Sequence, residues 1–307
     1  MKTTDANLWG IDLGGTKIEC AVLLTTNPTE VLIRERIDTE ANLGYEHILN
    51  QVKQLVDRVS LLLNERPQRI GFATPGVLNP RTQTMKNCNT VCMNGKPMAT
   101  DLAKILQCEV KLANDANCFA LAETLLGAVQ DINPHAEMVF GIIMGTGVGG
   151  GLVAHGKVVN GLHGIGGEWG HNILEENGTA CYCGKSGCVE HVISGPALEQ
   201  FYFNLSGEAK RMPEIMRLYE AKSDPAAEAT IERMLENFGR AVSTLMNVID
   251  PDVIVIGGGL GNIDLLYTEG YHRIRKYIFN SGEVFTPIVK PKLGDSAGVF
   301  GAAMLFA

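Results

Sequence analysis

Two periods of hydrophobic spacing alternate along the chain. Residues 8–23, "LWGIDLGGTKIECAVL", begin as an apolar run, break at Gly14 and Gly15, and resume with alternation through Ile18, Cys20 and Val22. That pattern predicts a strand, a glycine turn and a second strand. A helical period follows from Glu46 to Leu63, with apolar positions at Ile48, Leu49, Val52, Leu55, Val56, Val59 and Leu63. "RIGFATPGVL" reads as a short strand stopped at Pro75-Gly76, and "NCNTVCMNGKPM" as a polar connection to a helix starting near Thr100. Strand Glu109 to Ala113 then runs into a helix that buries Cys118, Phe119, Ala122, Leu125 and Leu126. The hairpin pattern returns in "MVFGIIMGTGVGGGLVAHGKVV", with a turn at Gly145, Thr146, Gly147, Gly149 and Gly150 and a second at His155-Gly156. A long helix within residues 223–250, the buried strand "PDVIVIGGGL" and a small-residue tail helix, "GDSAGVFGAAMLFA", complete the chain. The tail's small residues require close packing on a neighbour.

These elements describe an α/β protein. Its 307 residues exceed a comfortable single core, so two domains are expected. With 45% hydrophobic and 20% charged residues the composition is that of a globular protein, and a net charge of -8 offers no basic stripe for a nucleic-acid backbone. No stretch reaches the length of a membrane span, and the N-terminus lacks the apolar run of a signal peptide, which places the protein in the cytoplasm. In a reducing compartment Cys20, Cys88, Cys92, Cys108 and Cys118 read as small core residues.

Both glycine turns suit phosphate. Glycine lets backbone N–H groups approach an anion; Asp12 just before the first turn can hold a hydrated magnesium ion, and Thr16 and Lys17 follow it. A plain hairpin is the competing reading of either turn alone, but their repetition suggests two related half-molecules facing one phosphate chain. GxGxxG at the second turn is not a dinucleotide fingerprint, because a strand rather than a helix follows it. The triplet Gly257, Gly258, Gly259 either admits a flat ring or makes a loop. Asn87, Asn89 and Asn94 either meet a ligand or make turns. Asp115, at a strand-to-helix junction, is either a helix N-cap or a general base at the carboxyl end of a strand.

The densest chemistry lies in "GGEWGHNILEENGTACYCGKSGCVE", residues 166–190. His171, Cys181, Cys183 and Cys188 form a complete Cys3His set for structural zinc, although the spacing is not one of the common finger spacings. Fixing His171 also fixes Glu168, and fixing Cys188 fixes Glu190, so two carboxylates are held ready for a polyhydroxyl ligand.

"DLGGTK", "LANDAN", "IMGTGVGGG", "GEWGHN", "CYCGKSGCVE", "SGPAL" and "DPDVIVIGGG" occur in the order seen in the ROK family of bacterial sugar kinases and sugar-responsive repressors, which the chain resembles from about residue 8 to its end. "KNCNTVCMNGKP", "LANDANC" and "NVIDPDVIVIGGGLGNIDLLY" are most similar to the fructokinase (mannofructokinase) branch. The glucokinase branch usually has Asn followed by Trp where this chain reads Asn89 to Met93, which weakens glucose as the preferred sugar.

The resemblance implies an actin-like, hexokinase-like (ribonuclease H-like) fold of two α/β domains around an ATP and sugar cleft, with the C-terminal helix returning to the first domain. The corresponding division is 1–118 plus 295–307, and 119–294. It implies Asp115 as catalytic base and Asn89, Asn114, Glu168, His171 and Glu190 as holders of the sugar. Asp12, Gly14, Gly15, Thr16, Lys17, Gly145, Thr146 and Gly147 would cradle the phosphates of Mg-ATP, and Gly257, Gly258 and Gly259 would lie near the nucleoside. Zinc is structural, and a homodimer is expected. The expected reaction is phosphorylation of a hexose at its 6-hydroxyl, fructose first and mannose second; glucokinase or N-acetylhexosamine kinase activity is the alternative within the family. A sugar-responsive repressor carries a helix-turn-helix domain ahead of the first hairpin, where this chain has about seven residues, so regulation of DNA is not expected.

Overall fold

A computed structural model describes residues 7–307, so residues 1–6, placed above in the first domain, lie outside the described residues. Two compact units emerge. One contains residues up to His135 together with Gly151–Gly167 and Lys292–Ala307; the other contains Ala136–Gly150 and Glu168–Pro291. The sequence-based boundary after residue 118 does not coincide with a boundary of these units, because it cuts helix Asp115–Leu125.

The first unit is built on a sheet of β1 (Leu8–Leu13), β2 (Lys17–Leu24), β3 (Asn27–Asp38) and β4 (Arg69–Thr74), with a small separate pair, β5 (Val77–Leu78) and β6 (Met85–Lys86), before β7 (Glu109–Asn114). The sheet order is β3-β2-β1-β4-β7, with β1, β4 and β7 parallel. Strand alternation divides its two faces. Trp9, Ile11, Leu13, Ile70 and Phe72 pack in one core with Ile48, Val52, Leu55 and Val59 of helix Tyr45–Leu63. On the opposite face Gly10 pairs with Gly71, and the tail helix Ala297–Ala303 lies against them. A Cβ on Gly71 would stand 1.8 Å from the Ala302 carbonyl oxygen, and one on Gly301 would stand 1.8 Å from that of Cys118. Thus the small residues of the tail serve backbone-to-backbone approach, and the C-terminal helix belongs to the first unit, as expected.

In the second sheet, β8 (Met138–Met144), β9 (Val148–Ala154), β10 (Lys157–Val158), β11 (Val253–Gly257) and β12 (Ile288–Val289) take the order β10-β9-β8-β11-β12. Counted within each sheet, both orders are 3-2-1-4-5, the duplication that the two glycine hairpins suggested. Strand β9 passes from the second unit into the first at Gly151. Helix Pro225–Ile249 starts with Asp224 accepting from the Ala226 amide at 2.8 Å and Pro225 in its first turn, and ends at Asp250 in the left-handed region. Among the described residues no helix is long and apolar enough to cross a membrane.

Candidate functional site

Parallel register sets the site of the first unit. Asp12 pairs with Ala73 near the carboxyl end of β1, while Thr74 pairs with Asn114 at the ends of β4 and β7. Ligands of open α/β sheets bind at this edge. Asn114, not Asp115, is the N-cap of helix Asp115–Leu125, its side chain accepting from the Ala116 amide at 3.0 Å. Asp115 occupies the first helical position, so the N-cap reading does not apply to it. Solvent reaches Asp115, yet the protein crowded around it raises its pKa, against lowering hydrogen bonds from Ala116 and Asn114. Asp12 is pushed up to about 6, by burial first and by the like charge of Asp115 second, with Arg36 pulling the other way. Two carboxylates that desolvate and repel one another are a donor set suited to a hard, hydrated divalent cation.

The first glycine turn is closed by the Gly14 amide donating to the Lys17 carbonyl at 2.9 Å, and Thr39 braces it through its hydroxyl on the Gly14 carbonyl at 2.7 Å. Gly15, Thr16 and Lys17 are exposed. Thr90 lies beside this turn, its hydroxyl 3.3 Å from where a Gly15 Cβ would stand. That contact brings the Asn89 loop to the phosphate turn. Of the three asparagines there, Asn87 has a left-handed φ of 56°, and Asn94 accepts from the Cys88 amide at 2.9 Å and donates to its carbonyl at 3.2 Å. Both therefore shape the turn, which leaves Asn89, exposed, for a ligand.

In the second unit the glycine turn Gly145–Gly147 meets three other segments. Gly145 accepts through its carbonyl from the Gly195 amide at 2.8 Å, and the Val148 amide donates to Glu190 Oε2 at 3.1 Å. Glycine at 147 permits that approach, since a Cβ there would stand 2.6 Å from the same carboxylate oxygen. Gly258, at φ 81°, abuts the Met144 carbonyl, and the Gly259 amide lies 3.6 Å from where a Gly145 Cβ would stand. Glu168 precedes and His171 ends a short helical turn, Trp169–His171, that is pinned to β9 by the Trp169 indole donating to the Gly149 carbonyl at 2.9 Å.

Gly145, Thr146 and Gly259 open on a cleft of about 900 Å³ within this unit. Its other walls are Pro196 at the start of helix Gly195–Ser206, Met212 and Met216 of helix Met212–Glu220, and Leu260 and Ile263 after the triplet. Apolar walls with a glycine turn at one end fit a flat heteroaromatic ring that carries a phosphate chain. The sequence reading missed the two helices, whose ordinary amphipathic patterns carry no chemical motif. Ser194-Gly195-Pro196, which caps the first of them, entered only as part of a motif of the family resemblance.

His171, Cys181, Cys183 and Cys188 place one ligand atom each within 4.8 Å of one another. Cys181 Sγ is 3.5 Å from His171 Nδ1, and Cys183 Sγ is 3.6 Å from Cys188 Sγ. Tetrahedral zinc with ordinary bond lengths separates sulfur from nitrogen by about 3.5 Å and sulfur from sulfur by about 3.8 Å. These two separations match that geometry, and the four residues are a donor set suited to the ion. Their frame is a tight hairpin, with Ala180 bridged to Ser186 and the Cys181 amide donating to the Lys185 carbonyl at 2.7 Å. His171 Nε2, the nitrogen away from the sulfurs, is 2.9 Å from the hydroxyl of Tyr182, a residue absent from the sequence-based site.

The ROK family model matches residues 8–307. N-acetyl-D-glucosamine kinase of Pasteurella multocida (strain Pm70) is 36% identical over 310 aligned residues, covering 97% of this chain and 98% of the relative. The solved ROK hexokinase from Thermus thermophilus superposes with a TM-score of 0.86 at 32% identity, covering 98% of this chain and 97% of that one. A ROK family glucokinase from Streptomyces griseus, solved with glucose and AMPPNP, shares the fold, with a TM-score of 0.76 at 24% identity over 98% of this chain and 99% of its own.

Proposed function

This chain belongs to the ROK family and is a sugar kinase of the hexokinase-like, actin-like fold, and we propose that it transfers the γ-phosphoryl group of ATP to the 6-hydroxyl of a hexose, with D-fructose as preferred acceptor and mannose second. The observation that carries the reaction is the position of Asp115, which shares the Ala116 amide with Asn114 and is set at the same strand ends as Asp12. We assign Asp115 the proton of the attacking hydroxyl; burial raises its pKa, which makes the carboxylate a stronger acceptor. Asp12 would hold the hydrated magnesium that accompanies ATP, which would supply neutralisation of phosphate charge. Backbone amides of the turns Gly14–Lys17 and Gly145–Gly147, other than those of Gly14 and Gly145 that close the turns themselves, cradle phosphates, and the cleft beside Gly259 takes the nucleoside. Asn89, Asn114, Glu168, His171 and Glu190 are assigned to the sugar hydroxyls. The Cys3His group would take zinc as a closed structural ion through His171 Nδ1, which turns His171 Nε2, now beside the Tyr182 hydroxyl at 2.9 Å, away from the ion. The assembly is a homodimer, to be checked by light scattering.

Fructose rests on the loop "KNCNTVCMNGKP", which resembles the fructokinase branch. A second reading, N-acetyl-D-glucosamine, is supported by the name of the 36% identical relative. Magnesium-dependent ADP release with fructose, mannose, glucose, N-acetylglucosamine and N-acetylmannosamine, ranked by kcat/KM, separates the two. Fructose leading supports the first reading; N-acetylglucosamine leading replaces it with the second. Phosphorus NMR of the product must place the phosphate on C6.

A further inference from the structure

We propose that Arg211 is a donor-binding residue whose guanidinium takes the phosphate chain of the nucleotide in the cleft of the second unit. The proposal rests on the assignment of that cleft to the nucleoside of ATP. Among the described residues that line the cleft, Arg211 is the one basic side chain, set beside the acidic Glu199, Glu220 and Asp264. A polyanion entering such a wall meets like charge unless a cation offsets it. Lys290 pairs with Asp264 from outside the lining, and Arg211 pairs with Glu199 from within it.

The guanidinium is held in place. Glu199, on helix Gly195–Ser206, accepts from the Met212 amide through Oε1 at 3.0 Å and from Arg211 Nη1 through Oε2 at 3.0 Å. Its two oxygens thus fix Arg211 against the start of helix Met212–Glu220, so the side chain needs little ordering on binding. Among the described residues no partner meets Nε or Nη2, the edge of a guanidinium that grips a phosphate through two parallel hydrogen bonds. The same helix sets the distance. Its Gly195 amide donates to the Gly145 carbonyl at 2.8 Å, and Glu199 follows four residues later, about 6 Å along the axis, with its side chain leaning back towards the helix start. A guanidinium bound to Glu199 therefore stands about one helical turn from the phosphate turn, within the span of a triphosphate whose far end rests there. The Arg211 side chain is 80% exposed, and an ion pair so exposed contributes little to folding. What the pair does is aim a fixed cation into the cleft.

The test is Arg211→Ala, which removes an exposed side chain and should leave Tm within a few degrees of wild type. The calorimetric Kd for ADP, measured without sugar, should rise about tenfold, the value of one charge-assisted contact at an exposed site, while the inhibition constant of adenosine against ATP should stay within twofold. The loss should appear in KM for ATP rather than in kcat or in KM for the hexose. Arg211→Lys should recover only part of it, since an ammonium lacks the planar fork. An ADP Kd in Arg211→Ala within twofold of wild type would overturn the role of Arg211. Adenosine weakened as much as ADP would place the guanidinium over the base and overturn the phosphate contact. Wild-type protein that binds no ADP would instead sink the assignment of the cleft to the nucleotide.

Discussion

Substituting Gly147 by Ala isolates the contact between the second glycine turn and Glu190. The added Cβ falls 2.6 Å from Glu190 Oε2, and ordinary contact begins near 3.4 Å, so the carboxylate must withdraw by about 0.8 Å. Withdrawal also breaks the bond from the Val148 amide at 3.1 Å. A hydrogen bond to a charged group contributes about 1.5–3 kcal/mol, less for a partly exposed carboxylate, and the Gly→Ala change restores about 0.4–1 kcal/mol through the unfolded chain. Net destabilisation is about 1 kcal/mol, a loss of roughly 2–4 °C in Tm. The functional cost is larger, because misplacing a substrate-holding group by about 1 Å costs on the order of a hundredfold. Differential scanning fluorimetry and steady-state kinetics on one preparation compare the two effects. Activity near that of wild type would show that Glu190 does not hold the hexose. A Tm lowered by tens of degrees would show that the backbone, not the side chain, gave way.

Cys183→Ser removes one of the four sulfur and nitrogen positions of the knot, so bound zinc measured by atomic emission and Tm should fall together; a zinc-free variant with full stability and activity would separate the knot from the fold. Asp12→Asn should abolish magnesium-dependent turnover but raise the Tm of the metal-free protein at pH 7–8. The sign follows from a folded pKa of about 6 against 3.8: the native state binds more protons over that window, stability falls as pH rises through it, and Asn removes the loss. The stabilisation should therefore fade below about pH 4, and an equal gain at all pH values contradicts it. Gly71→Ala drives a Cβ to 1.8 Å from the Ala302 carbonyl, a backbone atom that cannot step aside, and should cost several kcal/mol in chemical denaturation; a loss under about 0.5 kcal/mol refutes the close packing of the tail.

The first sheet was legible because its strands alternate large and small residues: Trp9, Ile11 and Leu13 face the core while Gly10 and Asp12 face the tail helix. Strand β3 was not, since "NPTEVLIRERID" is charged and only Ile33 and Ile37 pack partly against the core. Both glycine turns, the Cys3His group and Glu190 were legible as chemistry, each lying within one short segment. The apolar cleft was not, because four distant segments build its walls and none is unusual alone. Asp115 needed the structure to show that the preceding Asn114 takes the cap.

The most direct test of the central claim is the turnover of Asp115→Asn beside its sugar affinity. The substitution is nearly isosteric and removes the proton acceptor alone, so the account predicts a sugar Kd by calorimetry within about threefold of wild type and kcat lowered by about 10²–10⁴-fold. A variant that keeps near wild-type kcat would contradict Asp115 as the base, and with it the mechanism built on the ends of β1 and β7.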